Sequence, residues 1–150
     1  MTETAPSPDI HPLSAEHAEQ LTACREWVAA HFEDPTVYED TANKLQVVTT
    51  ILENGWIEPN ETAKLQSLGV ALGDALAEVV DLHWVSLSAE GNEWPGLRWE
   101  QTSLVAHPIT MIAKRLEDDG TVDVVNLFRT VAEHIQRMKG QFEKQETENE

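Results

Sequence analysis

A single cysteine, Cys24, stands in 150 residues, so no intrachain disulfide can form and no thiolate metal cluster can be built. That fits a reducing compartment. Cations are scarce as well: ten Lys and Arg face 27 Asp and Glu, for a formal net charge of -17. Such a surface repels phosphate backbones and anionic lipid, which argues against nucleic acid and membrane as partners. No stretch approaches the roughly 18 apolar residues of a membrane span. The opening MTETAPSPDIHPLS has neither a basic start nor an apolar run, so it does not read as a signal peptide, and the expected location is cytoplasmic. What remains is ordinary: 41% hydrophobic and 25% charged residues, in a chain long enough for one core. Solubility alone would account for the charge; attraction of a basic protein partner is the functional alternative.

Residues 1–12, rich in Pro, Ser, Thr and acids, read as a mobile tail, and 144–150 as a frayed end. Between them lies one domain, 13–143, made of an N-terminal helical pair (13–55) and a core (56–138). Ser14 is a good N-cap for a first helix with an apolar stripe of Leu21, Cys24, Val28 and Phe32, which Pro35 ends. Thr36 and Glu39 have capping-box spacing ahead of a second stripe, Tyr38, Leu45, Val48 and Leu52, stopped at Asn54-Gly55. A third helix is expected from about Asn60 to Val80, with Leu65, Leu68, Leu72, Leu76 and Val79 on one arc. Gly69 and Gly73, one turn apart beside that arc, would permit close approach of another backbone.

The period then changes. His83–Ser88 reads as a strand, Ala89–Gly96 as turn chemistry, and Leu97–Gln101 as a half-buried strand; Ser103–Ala106 is a third strand or its continuation. Pro108 suits the first turn of a fourth helix, broken at Asp118-Asp119-Gly120. A last helix from near Thr121 carries Val124, Phe128, Val131, Ile135, Met138 and Phe142, a stripe for the domain's own core or for a second copy. The fold class is α+β: a small antiparallel sheet of two or three strands with about five helices around it or on one side.

Several segments together carry a resemblance. They are Leu68-Gly69 through Gly73-Asp74-Ala75-Leu76, then Leu82-His83-Trp84, then Pro95-Gly96-Leu97-Arg98, then Thr102-Ser103-Leu104 through His107-Pro108-Ile109-Thr110-Met111-Ile112-Ala113-Lys114-Arg115, and finally Val122-Asp123-Val124 through Leu127. Over residues 56–138 the chain resembles the DUF3806 family, a domain of unknown function. The resemblance implies a bacterial source and a recurring fold, and brings no activity with it.

No motif implies a reaction. Of the six histidines, His11, His17, His31, His83, His107 and His134, no pair has the i, i+4 spacing of a metal-binding helix face, and no metal or cofactor is expected. Cys24 falls on an apolar stripe, where a thiol is inert. Asp74 and Glu78 point away from the leucine arc, toward a solvated face. Arg98, Lys114 and Arg115 are three of the ten cations; Arg98 would pair with Asp74 or form an anion site. Trp84, Trp94 and Trp99 surround the hairpin, and Trp94, in its turn, is a candidate partner contact unless the loop folds back over the sheet. The leading expectation is a non-enzymatic binding or adaptor module for a basic protein, of which an immunity or inhibitor role is one form. The runner-up is a ligand-binding protein or enzyme with a pocket lined by Trp84, Arg98, Trp99 and His107. Monomer and weak homodimer both fit.

Overall fold

The computed structural model describes residues 8–31, 34, 38–55, 57, 58 and 60–148, with side chains as far as 144. In chain order these form β1 (Asp9–Pro12), α1 (Ala15–Ala29), α2 (Thr41–Glu53), α3 (Thr62–Val79), β2 (His83–Ala89), β3 (Asn92–Arg98), β4 (Val105–Ala106), a 3₁₀ turn (Pro108–Thr110), α4 (Met111–Asp119) and α5 (Val124–Glu148). The strands make one antiparallel sheet in the order β1-β2-β3-β4. The class is therefore α+β with five helices, and the sheet has four strands where two or three were expected.

The additional strand comes from the segment read as a mobile tail. Asp9–Pro12 pairs with Val85–Ser88 of β2, and His11 Nε2 is hydrogen-bonded to Ser88 Oγ at 3.0 Å, 77 positions away. A partner so distant leaves no local trace in four residues of which only Ile10 is a strand-former. Ser86 anchors the start of α1. Its Oγ accepts from the Ser14 backbone N–H at 2.9 Å and is hydrogen-bonded to His17 Nδ1 at 2.6 Å. His17 and Ser86 are both buried, so each satisfies a polar group that would otherwise carry a desolvation cost. Ser14 is also the N-cap of α1, accepting from the His17 N–H.

The hairpin differs from expectation as well. Its turn is Glu90-Gly91 alone, both with positive φ (52° and 82°), as the tight turn of a twisted hairpin requires. Gly91 adopts that conformation at no steric cost. Trp94-Pro95-Gly96, expected within the turn, lies in β3. Proline is at home on a strand edge, and β4 pairs only Leu97 and Arg98, which leaves the Pro95 edge open. Beyond Arg98 the chain turns, with Glu100 at φ 48° and the Trp99 N–H donating to the Leu104 carbonyl at 3.0 Å.

Helix α3 is the hub. It touches α1, α2, α4, α5 and the 3₁₀ turn, and it is buried almost all round. Leu65, Leu68, Leu72 and Leu76 are at most 3% exposed, each side chain contributing about 1.5–3 kcal/mol by its burial. Val79, expected on the same arc, is 50% exposed instead: the helix ends there, and the chain swings Val80 inward. For α2 the N-cap is Asp40, whose carboxylate accepts from the N–H groups of Ala42 and Asn43. Thr36 and Phe32 lie outside the described residues. Helix α5 starts behind Asp123, which accepts from the Asn126 N–H, and remains helical to Glu148, past the expected fraying point at Lys144. Val124, Leu127 and Ile135 are buried, with Phe128, Val131, Met138 and Phe142 packed beside them, so its stripe serves the domain's own core.

The two α3 glycines explain how the 3₁₀ turn docks. A Cβ on Gly69 would lie 2.6 Å from Ile109 Cα, and one on Gly73 would lie 2.6 Å from the Trp84 ring and 2.7 Å from Pro108. Backbone meets backbone at Gly69, as the sequence suggested. We expect Gly69→Ala to lower stability by about 3 kcal/mol in urea denaturation, because the obstructing group is main chain. Gly140→Ala, where a Cβ meets nothing within 4 Å in mid-helix, is expected to raise it by about 0.5–1 kcal/mol.

Candidate functional site

The most heavily bonded polar group among the described residues is Asp74, on the second half of α3. Arg25 of α1 donates to it twice, Nε to Oδ2 at 2.7 Å and Nη2 to Oδ1 at 2.9 Å. Tyr38 donates its hydroxyl to Oδ2 at 2.7 Å, and Trp84 of β2 donates its indole N–H to Oδ1 at 2.9 Å. The Asp74 side chain is only 12% exposed, so the solvated face expected for it is wrong; Gly73 lets Trp84 close over the helix and reach it. The hydrogen bond to Asp74 raises the pKa of Arg25, against its partial burial. Burial, and then the charge of Asp74, push the Tyr38 phenol far up, so it stays a donor. With every acceptor position filled, this is a clamp joining α1, Tyr38, α3 and β2 rather than a reactive centre. Glu78, one turn on, is exposed as expected; the Thr41 hydroxyl and then Lys44 lower its pKa.

Arg98 is therefore not the partner of Asp74. Its Nε donates to the Thr102 carbonyl at 2.7 Å and its Nη2 to the Gln101 carbonyl at 2.9 Å, which ties down the loop after β3. Trp99 is 8% exposed, edge-on to Phe142 of α5, with the Lys139 ammonium over its ring. Trp84 and Arg98 border a hollow of about 410 Å³ beside β1. His107 lies apart from them, with Trp94. The four residues expected around one pocket are thus not brought together.

Trp94 and His107 stand against each other instead. The Trp94 indole donates to His107 Nδ1 at 3.0 Å, with the rings tilted and 6.0 Å apart. An indole only donates, so Nδ1 is unprotonated and the neutral ring carries its proton on Nε2. Trp94 is half-buried, folded back toward the 3₁₀ turn. These two, with Glu93, Pro95, Ile109, Thr110, Gln20 and Gln66, line a cleft of about 410 Å³. A second cleft of about 400 Å³, between α1 and α3, shares Gln20 and Gln66 and continues to Cys24 and Trp27. One groove thus runs between the two helices and past the edge of β3. Nothing in the sequence marked Gln20 or Gln66, because a glutamine on a helix has no distinctive spacing; Arg25 was overlooked because it lies beside, not on, the apolar stripe. Among the described residues no three His, Cys, Asp or Glu side chains converge as metal ligands would.

The clamp and the Trp94–His107 pair can each be tested. Asp74→Ala leaves Arg25, Tyr38 and Trp84 facing a void; with Arg25 a third exposed, we expect a loss of about 3 kcal/mol by urea denaturation. Partial burial holds the His107 pKa below the ordinary 6.5. The unfolded chain therefore binds this proton first, so the contribution of His107 to stability is complete above pH 6.5 and fades as pH falls below it. The His107 ring resonances should titrate below pH 6.5, and Trp94→Ala should move that midpoint upward by uncovering the ring.

No curated protein matches the chain. A solved structure from Bacteroides thetaiotaomicron VPI-5482 superposes with a TM-score of 0.70 at 15% identity, covering 87% of this chain and 49% of that one. The likeness is one of fold, and this chain spans about half the length of that protein. No helix among the described residues is long and apolar enough to cross a membrane. Residues 44–128 match the model of a domain of unknown function, DUF3806, a match that begins within α2 and ends early in α5. With more than half of its length so matched, the chain belongs to the DUF3806 family.

Proposed function

We propose that this protein is a non-enzymatic binding module whose acidic exterior receives a basic protein partner. The observation that carries the reading is the inward use of its few cations. Arg25 is held by Asp74, and Lys44, 5% exposed, donates to the Glu39 carbonyl at 2.9 Å. Arg98 is held by two loop carbonyls, and Lys139 by the Val80 carbonyl and the Trp99 ring. Four of ten positive charges thus hold groups of the domain itself, Lys44 reaching the exposed Glu78 as well, which leaves few counter-charges for the other exposed carboxylates. A field of one sign steers oppositely charged proteins and speeds their encounter.

The dispersal of Trp84, Arg98, Trp99 and His107 gives an enzymatic pocket built from them no support. Capture on immobilised protein should recover a basic partner, and its affinity should fall roughly tenfold or more between low and physiological ionic strength. Binding indifferent to salt would count against this reading.

A further inference from the structure

We infer that the groove between α1 and α3 is the recognition site, and that its occupant is an extended, basic segment of the partner protein. The inference rests on the function proposed above and supplies its location.

Two amides stand where the clefts join, Gln20 from α1 and Gln66 from α3, and among the described residues neither takes a hydrogen-bond partner. An amide side chain offers a carbonyl and an NH₂, the complement of a peptide unit, so two of them can hold a main chain crossing the groove. On either side lies a hollow with an aromatic wall: Trp94 with Pro95 and Ile109 at one end, Trp27 with Cys24 and Ala23 at the other. Side chains of an extended strand could enter both. From Gln20 to Trp27 the helix rises roughly 10 Å, a distance that about three residues of an extended segment span.

Charge selects among peptides. Glu93 lines one end. By the helical period, Glu16 falls on the groove-facing line of α1 and Glu19 and Glu26 along its flank, and all three are exposed. Lys64, the cation in the lining, is already paired with Glu61. Its hydrogen bond, followed by the Glu58 N–H, holds Glu61 ionised to lower pH. The groove thus has an aromatic wall at each end, two amides in the middle, and carboxylates at the Trp94 end and along its α1 edge. That chemistry fits Lys- or Arg-containing sequence interspersed with apolar side chains, and rejects acidic sequence.

A phage-displayed random nonapeptide library selected on the intact protein tests this. The expected result is enrichment of Lys and Arg together with at least one large apolar residue. A selected peptide, added to labelled protein, should shift the side-chain amide resonances of Gln20 and Gln66 and the indole resonances of Trp27 and Trp94. Its affinity should drop at least tenfold in Q20A/Q66A, whose circular dichroism and urea midpoint serve as the check on folding; should that pair unfold, Glu16→Lys with Glu93→Lys is read instead, with the same loss expected. No enrichment of basic sequences, shifts confined to other surfaces, or unchanged affinity in the folded variants would overturn the inference. If Q20A/Q66A still captures a basic partner in a salt-sensitive way, the binding function stands and the groove assignment falls; if the wild-type protein captures none, the function itself fails.

Discussion

A carboxylate carried into a protein interior has to be surrounded by donors, and here Asp74 imposes that condition on three separate parts of the chain. Arg25, Tyr38 and Trp84 reach it from α1, from the segment before α2 and from β2. The attraction offsets desolvation only because the geometry fills both oxygens. Their approach depends in turn on Gly73, whose missing Cβ is the space in which the Trp84 ring lies. One turn earlier Gly69 admits the Ile109 main chain. A helix notched at two glycines and charged at the residue after the second thus decides where the sheet, the 3₁₀ turn and the N-terminal helix can sit. Arg25 and Tyr38 lie outside the segment that matches the family, whereas Asp74 and Trp84 lie inside it.

The same economy shapes the exterior. A chain with ten cations that places Arg25, Lys44, Arg98 and Lys139 on internal acceptors has little left to neutralise its surface. Internal satisfaction and outward negative charge are therefore one arrangement seen from two sides. The groove between α1 and α3 inherits that sign, and its lining lysine is already occupied by Glu61.

The helices were legible because their evidence is local. Leu21 and Val28 of α1, the leucines of α3 and Val124 through Phe142 of α5 repeat at the spacing of a turn, and burial tracks that spacing. The glycines of α3 were legible too, since their cost to a helix demands a packing reason. The strands were harder. Trp94-Pro95-Gly96 has the composition of a turn and becomes strand because β2 lies opposite it. Asp9–Pro12 looks like a tail and becomes an edge strand for the same reason.

The sequence by itself determined the α+β class, the helical core faces and the strong negative charge, because each of these is carried by composition or by spacing of a few residues; the family came from the resemblance of the segments between Leu68 and Leu127, within the matched residues 44–128. Tertiary structure alone decided which donor meets Asp74, that Arg98 would hold a loop, that His107 would accept from Trp94, and that Gln20 and Gln66 would stand together. Most of those pairings join residues far apart in the chain. Charge and hydrogen-bonding capacity state what a side chain needs, and only the folded chain brings within about 3 Å the group that supplies it.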